Sequence, residues 1–202
     1  MDEFKQDKKS TVPPQRIKKL DSERHILTPE QIFQLIVSAR SIGRCGLRDS
    51  TLVLMTYRHA LRVGEVIRLR WEQLALEERR LQVTRLKKGT PSTHTLSNDE
   101  VDALFQLRQE KPGSEFVFVS ERNGPLTRRA VHTVIARAAK VAGIPFAVHP
   151  FMLRHARGYQ LGAKGVSLRT IQSYLGHKNV QHTIAYTPHA GENFDNLDDD
   201  TD

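Results

Sequence analysis

The sequence is poor in the features that would assign it to a membrane, an oxidising compartment or a metal centre. Cys45 is the only cysteine among 202 residues, so no internal disulfide can form and a reducing compartment is expected. No apolar run approaches the roughly 18–20 residues that cross a bilayer. The stretch from Met1 to Lys19 is polar and charged, unlike a secretory signal. Nine histidines invite a metal, yet there is no His-Glu-x-x-His pattern, and His177 and His182 lack evident third and fourth ligands. A phosphate-binding glycine loop of the nucleotide-hydrolysing type is missing as well, and so are internal repeats. Expected on these grounds are no metal, no cofactor and no nucleotide-driven step.

What is present is positive charge, unevenly spread. The net charge is +8. Residues 1–25 hold seven Lys/Arg against five Asp/Glu, and residues 191–202 hold six acids and no base. The body between them therefore carries 24 bases against 12 acids. A compact body this basic points to a polyanionic partner, double-stranded DNA first among them. The competing reading is a solvated basic surface. The sequence divides into a basic arm over 1–25, a folded domain over 26–190 and an acidic tail over 191–202. In the tail, Phe194 and Leu197 are the only large apolar residues.

Within the folded part the spacing predicts mostly helix. Thr28-Pro29-Glu30-Gln31 reads as a capping box with proline at the first helical position, followed by Ile32, Leu35, Ile36 and Ala39 at helical spacing. Further helices are expected over 48–60 and 64–69. Residues 71–76, 81–86 and 93–96 read as a small antiparallel sheet with a turn over 87–91. Ser97-Asn98-Asp99-Glu100 is a second capping box, opening a helix to about Gln109. Residues 116–119 fit either a buried strand or a short core run. Thr127 caps a helix that Gly143 ends, and helices follow over 150–164, 168–175 and 180–186, with Ser167 and Asn179 suited to cap the last two. The fold class is α+β, mainly α, with one three-stranded antiparallel sheet.

Four segments couple cationic or reactive side chains to capped or glycine-containing turns. They are Ala60-Leu61-Arg62-Val63-Gly64-Glu65-Val66, Arg85-Leu86-Lys87-Lys88-Gly89, His149-Pro150-Phe151-Met152-Leu153-Arg154-His155 and Tyr174-Leu175-Gly176-His177, with Tyr186 nine residues beyond His177. In this order and spacing they resemble the signature boxes of the tyrosine recombinases, the phage integrase family. The resemblance spans roughly 26–190 and is strongest to its short branch, the fimbrial phase-variation invertases, which lack a separate core-binding domain. It implies a helical recombinase catalytic domain and a site-specific DNA recombinase working through a 3′-phosphotyrosine intermediate, an invertase of phase-variable genes within the branch.

The chemistry asks for these residue types. Attack on a phosphodiester builds charge on the nonbridging oxygens, which arginines hold through bidentate, charge-assisted bonds. The resemblance gives that task to Arg62 and Arg154, a hydrogen bond to the same phosphate to His177, protonation of the leaving 5′ oxygen to Lys87, and nucleophilic attack to Tyr186. Glu65 can pair with Arg62 three residues away, which is also its purely structural reading. Tyr57, Tyr159 and Tyr174 are read as core aromatics. One position departs from the family. Three residues before the second arginine, where histidine or lysine is usual, stands Phe151, and a phenyl ring cannot take a proton. His149 is the nearest substitute in the sequence. This departure sustains a second reading, an impaired family member acting as a DNA-binding regulator. Arg85, Lys88, Arg128, Arg129 and Arg157 are candidate DNA contacts. The resemblance further implies a homotetramer on DNA, in a bacterial cytoplasm, with no membrane and no small-molecule substrate.

Overall fold

A computed structural model describes residues 25–85 and 90–187. The expected basic arm before His25, the expected acidic tail over 191–202, and both Lys87 and Lys88 lie outside the described residues.

The first helix, α1 (Pro29–Ser41), begins where its capping box predicts. Gln31 N donates to Thr28 Oγ1 at 3.2 Å and Thr28 N to Gln31 Oε1 at 3.0 Å. A cap of this kind contributes about 1 kcal/mol. Ile32, Leu35 and Ala39 face inward and lie along α2 (Gly46–Arg58) and α5 (Arg128–Val141). Helix α2 is the hub. Leu52, Val53 and Met55 are fully buried, and its faces also meet α4 (Asn98–Glu110) and α6 (Pro150–Ala163). It starts at Gly46, two residues before the sequence suggests, and a Cβ there would sit 2.0 Å from the Arg40 carbonyl oxygen. A short α3 (Val63–Val66) follows a tight turn.

The small sheet has the expected three antiparallel strands, β1 (Leu74–Ala75), β2 (Arg80–Val83) and β3 (Ser92–Thr95), in that order. The expected first strand is shortened, because Trp71–Gln73 coils into a 3₁₀ turn and leaves two residues for pairing. Residues 116–119 prove to be a core run. Val117, Phe118 and Val119 are buried, with single bridges at Phe116 and Val119 in place of a strand. Helix α7 (Leu168–Leu175) is capped by Ser167 as expected. The last helix, α8 (Gln181–Ile184), is a single turn, and Asn179 serves it by accepting from Gln181 N at 2.9 Å. Tyr186 lies just past this turn.

A buried polar chain ties the sheet to the helices. His59 Nε2 meets Glu100 Oε1 at 3.0 Å, His59 Nδ1 meets His94 Nδ1 at 3.2 Å, and His94 Nε2 meets Ser92 Oγ at 2.9 Å. The His94 ring stacks on Tyr174 at 4.0 Å. Burial, followed by the charges of His59, Arg85 and Arg157, pushes His94 down to about 3. The unfolded chain protonates this residue near the ordinary 6.5, whereas the folded one resists to about 3. Its neutral form therefore favours the fold above pH 6.5, and that contribution is lost as pH falls towards 3. Denaturant unfolding followed from pH 7 downward is expected to show declining stability. A His94→Gln protein should be weaker at pH 7 but decline less steeply.

Candidate active site

Arg154 is 1% exposed in α6. Its Nη1 donates to the Ala60 carbonyl at 2.5 Å and its Nη2 to the Leu175 carbonyl at 2.5 Å. Both carbonyls are aimed by unusual backbone. Ala60 ends the turn after α2 with φ +49, a left-handed conformation that non-glycine residues seldom take. Leu175 is the last residue of α7, and Gly176 closes that helix at φ +63. A side chain at Gly176 would be strained by φ and would also meet Arg85 Cγ at 2.8 Å. The Leu-Gly pair before His177 is thus a helix stop with two constraints on it.

Arg62 stands at the N-cap of α3, about a third exposed, and its Nη1 pairs with Glu65 Oε1 at 2.9 Å. The other Glu65 oxygen accepts from Arg62 N and from Arg85 Nη1, each at 2.9 Å. Here the ion pair and the proposed clamp are compatible, since Glu65 fixes the arginine while leaving part of it open. Arg85 is a correction to the expected DNA contacts. Its side chain is fully buried, held by Glu65 and by the Tyr174 carbonyl, so it works from beneath the pocket. Arg157 is likewise turned inward. Its guanidinium lies 6.0 Å from the Tyr57 ring and 5.7 Å from the Tyr174 ring and bonds Gln160. Arg128 and Arg129 remain exposed at the start of α5.

The arginines feel one another. Burial first, then Arg62 and Arg85, pushes Arg154 down to about 9, while Glu65 and Tyr186 oppose the fall. His177 is pushed down to about 4 by burial, Arg154 and Arg62 in that order, so it is neutral at pH 7. Its Nδ1 lies 2.9 Å from the buried Thr183 Oγ1, which sets the ring orientation. Tyr186 is 4% exposed and stacks beside His177 at 6.4 Å between ring centroids. Its hydroxyl is 2.6 Å from His155 Nδ1. Tyr57 and Tyr174 are core aromatics, Tyr174 donating to the Arg58 carbonyl at 2.5 Å, and Tyr159 meets the Tyr186 ring edge-on at 5.0 Å. Phe151 is 55% exposed, and His149 is exposed at the N-cap of α6.

Three residues close to the nucleophile escape the sequence reading. His155 looks like a mere neighbour of Arg154. Gly158 and Gly162 look like ordinary helix glycines, yet a Cβ at 158 would lie 2.7 Å from Tyr186 Cε1 and one at 162 would lie 1.7 Å from the Tyr186 carbonyl oxygen. Their spacing of four on one helical face was the available signal.

Two guanidinium groups, those of Arg62 and Arg85, share the Glu65 carboxylate, and the Arg154 guanidinium, a neutral imidazole and a phenol stand beside them. That is the equipment of phosphoryl transfer with a tyrosine nucleophile. The comparisons agree. The chain belongs to the phage integrase family, the tyrosine recombinases, whose sequence pattern matches residues 25–193. It is 38% identical to the type 1 fimbriae regulatory protein FimE of Escherichia coli K12, over 82% of this chain and 86% of that protein. With FimB of the same strain it is 37% identical over 83% and 86%. Tyrosine recombinase XerD of Listeria innocua is 28% identical over 84% of this chain, which spans 60% of XerD. The fold superposes on XerA recombinase with a TM-score of 0.72 at 27% identity, covering 81% of this chain and 60% of XerA. The Tn1549 transposon integrase shares the fold, with a TM-score of 0.74 at 18% identity over 87% of this chain and 64% of that one.

The glycines make the Tyr186 seat testable. Gly158→Ala must displace a ring and is expected to destabilise by about 1–3 kcal/mol. Gly162→Ala must displace backbone and should cost more. Thermal unfolding of the two proteins checks the order.

Proposed function

We propose that the protein cleaves and rejoins double-stranded DNA at specific sites through a 3′-phosphotyrosine formed on Tyr186. The observation that carries this reading is the convergence of Arg62, Arg154 and His177 with the Tyr186 hydroxyl, from segments far apart in the sequence. Arg62 and Arg154 hold the nonbridging oxygens, and neutral His177 donates a hydrogen bond to them. The Tyr186 oxygen attacks phosphorus, the bond to the 5′ oxygen breaks, and Lys87 supplies that oxygen with a proton. The reverse sequence rejoins a strand and restores both groups. The phosphoester energy is kept in the tyrosine bond, so no external energy source enters.

Likeness to FimE and FimB supports inversion of a DNA segment that switches a phase-variable gene. Two duplexes need four such sites, hence a homotetramer on DNA, working in a bacterial cytoplasm. Arg128 and Arg129, exposed together at a helix start, suit DNA contacts, with Lys88 beside Lys87. Phe151 favours a second reading, a regulator that binds DNA without cutting it.

A pool of nicked duplexes with randomised centres separates the two. The protein is expected to become covalently attached to a subset of them under denaturing conditions, and Tyr186→Phe to abolish attachment while retaining binding. Attachment that survives Tyr186→Phe would overturn the nucleophile. Selective binding with no attachment from any duplex would favour the regulator.

A further inference from the structure

We infer that His155 is the proton acceptor for Tyr186, taking over the task left vacant by Phe151. The inference rests on the recombinase reading above and adds a catalytic residue to it. His155 Nδ1 lies 2.6 Å from the Tyr186 hydroxyl, within direct hydrogen-bond distance. In the tautomer of the neutral imidazole that carries its hydrogen on Nε2, the nitrogen facing the phenol accepts the phenolic proton. This is the arrangement a base needs before attack.

Position explains how the residue reaches the phenol. On a helix, consecutive side chains diverge by about 100°, so Arg154 turns into the carbonyl cage while His155 turns towards Tyr186. The ring is held from both neighbouring turns of α6. Phe151, four residues earlier, meets it edge-on at 4.1 Å and 88°, and Tyr159, four residues later, lies 6.4 Å away. The phenyl that cannot accept a proton therefore seats the imidazole that can. Gly158 and Gly162 on the same helix bring the Tyr186 ring and backbone close enough for the contact. His155 also lines a cavity of about 340 Å³ with His25, His149, Phe151 and Tyr159. His149 is exposed, with its ring 6.4 Å from the Phe151 ring.

The proton balance closes over the two half-reactions. As the Tyr186 oxygen bonds to phosphorus, its proton passes to His155 Nδ1, and the departing 5′ oxygen takes one from Lys87. On rejoining, the 5′ hydroxyl attacks the phosphotyrosine and returns its proton to Lys87. The imidazolium then reprotonates the released phenolate. No co-reactant is consumed.

The test uses the full-length protein and the duplexes captured from the randomised pool. His155→Ala is expected to bind them unchanged and to slow covalent attachment about 10²–10⁴-fold, the usual contribution of a positioned base. Added imidazole should restore part of the rate, and so should a second change, Phe151→His, which puts a base at the family's position. His155→Gln keeps a hydrogen-bonding group beside the phenol without accepting a proton, and should be as slow as the alanine protein. Attachment at the parent's rate in the alanine and glutamine proteins would overturn the inference. So would a slow rate that neither imidazole nor Phe151→His improves, since a merely structural histidine behaves that way. Failure of the unaltered protein to attach to any duplex is a separate result, and it removes the recombinase reading together with the task given to His155.

Discussion

Everything at this site depends on a guanidinium group buried without a carboxylate of its own. Arg154 is held by two main-chain carbonyls, from Ala60 and Leu175, 94 and 21 residues away in the sequence. Carbonyl oxygens carry partial charge and repay only part of the desolvation of an ion, and Arg62 and Arg85 add repulsion. Among the described residues the carboxylate beside Arg154 is Glu65, already shared between Arg62 and Arg85. Among the described residues the pocket is consequently short of negative charge. A phosphate placed there completes the set of partners that the fold leaves incomplete. The same imbalance is preorganised for an oxyanion whose charge grows during attack.

The carbonyl cage also orders the surrounding elements. Because Arg154 bonds both the α2–α3 turn and the end of α7, it fixes where Arg62 and His177 begin. The backbone conformations at Ala60 and Gly176 are the local cost of aiming those carbonyls. Beneath, Arg85 joins Glu65 to the Tyr174 carbonyl, and Tyr174 stacks on His94, so the small sheet is tied to the same point. A buried ion pair of this kind contributes little net stability when intact, yet leaves a stranded charge when one partner is removed. Its worth here lies in register. It sets strand β2 relative to the arginines.

Much of this was legible in the sequence, though unevenly. The caps at Thr28, Ser97, Thr127 and Ser167 were readable because capping is local chemistry between residues three apart. The three-stranded sheet was readable from short runs between turn residues, while the 3₁₀ turn at Trp71–Gln73 was hidden because its residues suit a strand equally well. Arg62, Arg154, His177 and Tyr186 were recognisable only as an ordered set, since each alone passes for a surface charge or a core ring. Arg85 is buried and Arg157 half-buried, deeper than their charge suggests, for a physical reason. Charge implies exposure by default, and the partners that bury them, Glu65 in one case and Tyr57 and Tyr174 in the other, are 17 to 100 residues distant. The roles of Gly158 and Gly162 depend on what arrives opposite them, which no helix reveals about itself.

Phe151 shows how a single departure changes meaning once neighbours are known. In the sequence it reads as a missing base, and a lost base suggests a lost activity. In the fold its ring lies edge-on to an imidazole that touches the Tyr186 hydroxyl, with the aromatic edge-to-face geometry that fixes orientation better than it adds energy. A histidine at 151 would carry the proton-accepting nitrogen on an exposed position at the first turn of α6. His155 carries it one turn deeper, partly buried and adjacent to Arg154 in the chain. The deeper position couples His155 to Arg154, the proposed base to the proposed clamp, because any shift of α6 moves both together. Tyr186, His155 and Arg154 thus lie on one helix and the short segment packed against it, so the phenylalanine at 151 is compatible with the proposed reaction cycle.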